Sequence, residues 1–458
     1  MTVAVVIAAL TVRLQQAFAP DRSPWPIVFS PSLGVGISLL TLAIGVRVPQ
    51  GVAMWICSIA WRRFVRAGRP SNISGVLISP GSPDRPLYWV TFAVIALAAG
   101  VGTALLPTLA RLTSVFYVWL QTHFVWSTIP LVGLTALLVF LTGLIPLAIL
   151  GLAISCAHHL CCRFGHWDTL ATAWLLVGAA PGAVLTLFLC DSLAAADAML
   201  VAAALPALLV AIIAAMLGSS GGERKQADFD GDATSLPLCR DRWPSLLRAS
   251  IVAVGGGSAC GVMVWAELSG DGAGGGPALM GAMLLALGIG VLFGCSARLT
   301  AIRSIGGFGV VCAAAGIVVA LGTLAVPPDG APLSLSANIL ACVGVAAIGF
   351  ATSYGRQTLL ARVASRSSEG AKILARLLTC AAFTILIGAP VAIHVFGQSA
   401  ALMMLALSMV ALGGTLIIHE PGYSPQKRRA RLIGVFASVA MLIILTVLPD
   451  RAPPIHSS

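Results

Sequence analysis

The densest chemistry in the chain lies in CAHHLCCRFGH, residues Cys156–His166. His158, His159, Cys161 and Cys162 set imidazole and thiol groups close together, and these are ligands that zinc and copper take. Their spacing does not reproduce the paired C-x₂₋₄-C and H-x₃₋₅-H arrangement of a structural zinc site. The same residue types also suit a helix end at a membrane surface. No third group stands where it would orient a Cys–His nucleophile. The expectation is no enzyme, no bound metal and no cofactor.

Three further ionisable residues sit in or beside long apolar stretches. Arg13 follows the apolar or small residues Val3–Val12, some two to three helical turns in at about 1.5 Å per residue. A guanidinium there either faces a cavity or partner or snorkels back to water. Glu267 closes another such stretch, as a coupling carboxylate or a rim residue. It would pair with Arg13 if their helices met. Asp197 opens a third, just after Asp191, as a proton relay or a boundary residue. Arg13, Glu267 and Asp197 are the substrate or coupling candidates.

The elements that must position them are membrane spans. The chain has 458 residues, 58% hydrophobic and 9% charged, against about 25% charged in a soluble domain. Its mean hydropathy is +0.98. Apolar runs of about 20 residues are what a bilayer demands, and they exclude a β-barrel of short alternating strands. The 11 Cys are mostly single and embedded in apolar runs, so they read as small hydrophobes. The net charge of +11 is no nucleic-acid signal, because the basic residues fall in short loops.

Six spans precede a polar linker: Thr2–Phe18, Ile27–Val46, Leu87–Leu106 (ended by Pro107), Thr128–Ser155, Thr169–Leu189 and Ala194–Leu217. Six follow it: Leu246–Trp265, Ala278–Phe293, Gly307–Val326, Leu333–Thr352, Leu377–Phe396 and Ala400–Ile418. A thirteenth, Leu432–Leu448, follows the basic loop GYSPQKRRAR. Between the second and third spans, GVAMWICSIAWRRFVRAG reads as a helix lying in the interface. Of the 27 Lys and Arg, all but Arg13, Arg22, Arg111 and Arg451 fall on one side of this plan. The positive-inside rule makes that side cytoplasmic. The N-terminus is then cytoplasmic and the C-terminus external, in a multi-pass protein of the bacterial plasma (inner) membrane. Pro146, Pro181, Pro206 and Pro390 lie inside spans. They thin or kink helices for packing, or break them around a substrate.

Six spans, a linker and six more resembles the major facilitator superfamily, whose two six-helix halves are related by an axis along the membrane normal. GCSARLTAIRS, with Arg298 and Arg303, is similar to that superfamily's basic loop between helices eight and nine. YGRQTLLARVASRSSEGAKILARLL, with Arg362, Glu369 and Gly370, is similar to its ten–eleven loop. A narrower resemblance is to the membrane module fused to some bacterial spermidine-synthase-like proteins. It rests on Val12-Arg13-Leu14, Glu267 and the Gly/Pro segments Phe140–Leu150 and Trp174–Leu189. The superfamily's Gly-x-x-x-Asp-Arg-x-Gly-Arg signature between helices two and three is missing. So is a catalytic domain with Gly-x-Gly-x-x-Gly after a strand.

The resemblance implies an all-α polytopic membrane protein of two six-helix bundles plus a thirteenth C-terminal helix. The divisions are 1–218, a cytoplasmic linker at 219–245, 246–418, and 419–458 with the extra helix. It implies alternating-access transport of a small solute. The scarcity of ionisable side chains within spans points to a neutral or weakly charged one. The other reading is a non-transporting scaffold or regulatory module. It would hold a cytoplasmic protein partner, such as a separate synthase-like enzyme, through the basic loops and linker. A polar cavity between the halves separates the first reading from the second, since a scaffold should have an apolar, closed interface there.

Overall fold

In hydrocarbon every backbone N–H and C=O must be satisfied within the segment, so an apolar chain crosses as helix. The computed structural model describes residues 5–7, 9–11, 31–48, 85–123, 128–164, 193–219, 243–270, 276–296, 304–324, 335–360, 366–420 and 425–447. These hold twelve α-helices: α1 (Pro31–Arg47), α2 (Arg85–His123), α3 (Thr128–Phe164), α4 (Leu193–Ser219), α5 (Trp243–Gly270), α6 (Gly276–Ser296), α7 (Ile305–Leu324), α8 (Leu335–Leu360), α9 (Arg366–Phe383), α10 (Ala389–Phe396), α11 (Gln398–Ile418) and α12 (Pro425–Val447). A π-helical turn, Thr384–Gly388, joins α9 to α10. Residues 5–7 and 9–11 are helical as well.

The plan of two six-helix bundles plus a thirteenth helix is corrected by this count of twelve. Among the described residues, eight stretches are long and apolar enough to cross a membrane. They lie in α2, α3, α4, α5, α7, α8 and α11, and in the unit Gly370–Phe396 formed by α9, the π turn and α10. Leu33–Arg47 and Ala282–Gly294 are shorter apolar helices. The expected thirteenth span corresponds to α12, which is not among the eight. Its first two turns carry Lys427, Arg428, Arg429 and Arg431, and charge is costly in hydrocarbon. Those turns fold back on the end of α11, where Arg428 donates to the Glu420 carbonyl at 3.1 Å. The expected spans Thr2–Phe18, in most of its length, and Thr169–Leu189 lie outside the described residues, as does the interfacial stretch before Arg85.

Pro107 does not end a helix. The helix α2 runs through it to His123, and α3 and α4 run through Pro146 and Pro206. Without competing water, the flanking hydrogen bonds hold the helix across the missing N–H.

The packing is small inside and large outside. On α2, Ala96, Ala99, Thr103 and Ala110 are buried while Val94, Leu97, Val101 and Leu105 are exposed. The buried side meets α4, whose own inner residues include Ala196, Ala203, Ala207 and Ala211. Small residues let backbones approach, and the outward aliphatics suit acyl chains. The helices α1–α4 surround a core that includes Leu10, Leu106, Leu147 and Leu200. After the linker, Ile251, Phe308, Ile348 and Leu416 form a second core. The end at which α4 stops and α5 starts is called the linker face below.

Candidate functional site

The two helix groups meet where α9 and the π turn lie against α1 and α3. On α1, Val35 and Leu39 pack on the apolar cluster of Ile385, Ala389 and Leu402. Gly36 gives room for the π turn: a Cβ there would stand 2.8 Å from Leu386 Cδ2 and 3.3 Å from the Ala382 carbonyl oxygen. At the end of α1, the Arg47 guanidinium donates to Thr379 Oγ1 at 3.2 Å. Thr379 donates in turn to the Ala375 carbonyl at 2.7 Å.

A more buried contact lies nearby. The end of α8 reads SYGRQT, and Ser353, Tyr354, Arg356, Gln357 and Thr358 are all buried. Arg356 is 7% exposed and His158, near the end of α3, is 3% exposed. Arg356 Nη2 lies 2.8 Å from His158 Nε2. A guanidinium has only donors, so in this contact Nε2 is the acceptor. The negative end of the α8 dipole favours a cation at this position. Gly370, on the first turns of α9, closes the contact. A Cβ at that position would stand 2.5 Å from His158 Cε1 and 3.6 Å from Arg356 Nη2. Three helices, α3, α8 and α9, thus converge on one desolvated Arg–His hydrogen bond.

A second polar node lies within the later group. Glu420, 5% exposed, follows α11 and accepts the Gly306 N–H at the start of α7 at 2.8 Å. Arg431 of α12 approaches the same carboxylate oxygen at 4.0 Å. The carboxylate satisfies a donor at a helix start and complements its dipole.

Neither protein-family models nor curated proteins give a match to this chain, so its narrower likenesses rest on its residues alone. Among solved structures it is similar to the E. coli fucose:proton symporter FucP, with a TM-score of 0.44 at 10% identity over 91% of this chain and 96% of that one. It is similar to the nucleoside transporter NupG with a TM-score of 0.41 at 11% identity, over 91% and 98%.

The structure spreads the sequence candidates over several places. Asp197 lies on α4 and takes Arg111 of α2 at 2.7 Å and 3.2 Å, away from the seam. Glu267 lies on α5 and Glu369 on α9, but their side chains are outside those described, as are those of His159, Cys161 and Cys162 on α3. Arg13, Pro181, Arg298, Arg303 and Arg362 lie outside the described residues. Pro146 faces Gly102 of α2, where a Cβ would stand 3.4 Å from the Pro146 Cα. Pro206 lies within α4, and Pro390 opens α10 directly after the π turn. Of the Cys/His cluster, His158 serves as the acceptor for Arg356, and no group of three His, Cys, Asp or Glu among the described residues is placed to hold a metal.

In the sequence, Arg356 and Arg47 count among the loop charges that set topology, with Gly45-Val46-Arg47 the remnant of the signature between helices two and three, and Glu420 and Gly306 carry no expectation. The signal for Arg356 was present: SYGRQT carries five polar side chains directly after an apolar span. Nothing in the sequence marks Glu420 and Gly306 as partners, since 114 residues separate them.

Proposed function

We propose that this chain is a secondary transporter of the major facilitator type, moving a small neutral or weakly charged solute by alternating access, with the linker-face seam as one of its gates. The observation that carries this is the buried Arg356–His158 hydrogen bond between the two helix groups. A desolvated guanidinium at an internal seam adds little to stability, because an apolar interface of the same shape is often as stable. A gate needs contacts that form in one state and re-solvate in the other, and polar pairs at a helix end do so at small net cost. The π turn in the same seam fits this reading, since π turns concentrate at functional sites. The positive-inside rule makes the linker face cytoplasmic, in keeping with a bacterial inner-membrane protein.

Reconstitution into proteoliposomes tests the reading. Flux of at least one solute from a panel of sugars, nucleosides, amines and amino acids is expected. Arg356→Ala should change that flux while the protein stays folded. A chain that moves no solute, yet retains a soluble protein partner through its linker and basic loops, would replace the transporter reading with the scaffold one.

A further inference from the structure

We infer that the outward face of α12 is a site for an anionic glycerophospholipid of the leaflet on the linker face, with the headgroup phosphate on Arg429 and the acyl chains along Ile433 and Phe436. The inference stands whether or not the chain moves a solute, because it concerns a different surface from the seam.

It starts from charge. Lys427, Arg428, Arg429 and Arg431 fall within the first two turns of α12, and residues 421–447 contain no Asp or Glu. Glu420, the acid just before them, is turned inward. It accepts the Gly306 N–H at 2.8 Å and lies 4.0 Å from Arg431 Nη1. Arg428 is tied to the same place through the Glu420 carbonyl, whereas Arg429 is exposed. Cations in the first turns of a helix oppose its dipole, and an external anion beside them relieves this.

The shape of the face selects the anion. After Arg429, Ile433, Phe436 and Ala440 follow at spacings of four, three and four, which places them on one side of a helix. All four are exposed, Ile433 at 67% and Phe436 at 68%, while α12 packs on α7 and α11. A soluble phosphate ester matches only the basic end of this stripe, and an uncharged lipid matches only the apolar part. A glycerophospholipid with net negative charge matches both, in the order in which they occur. A guanidinium can also take two phosphate oxygens at once.

The stripe begins at the linker face. Gly355, near the end of α8, packs between α7 and α5: a Cβ there would stand 2.6 Å from Phe308 Cζ and 3.0 Å from Ile251 Cγ1. The start of α7 therefore lies beside the start of α5, and the Glu420–Gly306 contact brings the start of α12 to the same end. Phe436 is about 10 Å along the helix from Arg429.

The test uses the full chain in nanodiscs of phosphatidylglycerol and phosphatidylcholine in equal amounts, with identical acyl chains. An encoded benzophenone amino acid in place of Ile433 crosslinks to neighbouring acyl chains on illumination, and mass spectrometry gives the ratio of the two lipids captured. The same probe in place of Ile212, 57% exposed on the linker-face half of α4, reads the surrounding bilayer. At low salt the anionic-to-zwitterionic ratio at the Ile433 position should exceed that at the Ile212 position about fivefold or more, since one cation beside an anionic headgroup contributes about that factor. It should fall as salt rises. Arg429→Gln should bring it down to the ratio at the Ile212 position. Gln426→Lys, which adds a cation one turn away at another exposed residue, should raise it and keeps the test decisive if Arg429→Gln folds poorly. Lys372→Gln, which removes an exposed cation of α9, should leave it unchanged. Equal ratios at the two positions, no response to Gln426→Lys or to a folded Arg429→Gln, or an equal loss in Lys372→Gln would each overturn the inference. Displacement of phosphatidylglycerol by millimolar glycerol 1-phosphate would also overturn it, by making this a site for a soluble ester. Crosslinking of the Ile433 position to a polypeptide in native membranes would overturn it in favour of a protein interface.

Discussion

Glu420 and Asp197 are both buried carboxylates facing a guanidinium, yet they should respond to mutation differently. Asp197 is matched by an Arg111 side chain that is 66% exposed, and water can replace it. Pairs of that kind contribute roughly 0.2–1 kcal/mol, so Asp197→Asn should move thermal unfolding in detergent only slightly. Glu420 holds the first turn of α7 through the Gly306 N–H, and its loss leaves a buried donor without its acceptor. That costs about 1–3 kcal/mol, so Glu420→Ala should lower the unfolding midpoint clearly and Glu420→Gln less. Gly306→Ala should resemble Glu420→Ala, because a methyl there collides with Glu420 Oε2. Equal shifts for Asp197→Asn and Glu420→Ala would refute this ranking by solvent access. The sequence made Asp197 conspicuous, as a lone acid beside an apolar run. It hid Glu420 between His419 and Pro421, where it reads as ordinary loop polarity, because capping across 114 residues leaves no local mark.

The span centres were legible in the sequence for a physical reason: a bilayer demands about 20 apolar residues whatever the fold. Their ends were not. The eleventh span was expected to begin at Leu377, but α9 begins at Arg366, because RSSEGAKILAR is amphipathic. Ile373 and Ala375 face inward while Lys372 and Arg376 stay exposed. The π turn after it was invisible, since Thr384–Gly388 is as apolar as its surroundings. A π turn is in effect one extra residue in an α-helix. Deleting the exposed Ile387 should therefore restore regular α-helix while α9 and α10 keep their faces. Thermal stability should hold or rise, and solute flux in proteoliposomes should weaken. A collapse in expression or unfolding temperature would mean that the turn is part of the packing rather than a hinge.

Sidedness follows from contacts and charge together. The Arg47–Thr379 and Arg356–His158 hydrogen bonds bring the ends of α1, α3 and α8 and the first turns of α9 to one end of the molecule. Gly306 and Glu420 bring the start of α7 and the end of α11 together in the same way. Apart from the central linker, the basic loops of the sequence count attach at these helix ends, so a charge rule and a set of long-range contacts point to the same face. The positive-inside rule predicts that this face is cytoplasmic. Epitope tags inserted after Ser219 and after Leu360 should both be shielded from a membrane-impermeant reagent in intact cells and reached only after permeabilisation. A tag after His123, at the opposite end of α2, should be reached in intact cells. If the tags after Ser219 and Leu360 fell on opposite sides, α5–α8 would have to cross an odd number of times. If both were external with the His123 tag inside, the contacts would stand and the charge rule alone would fail.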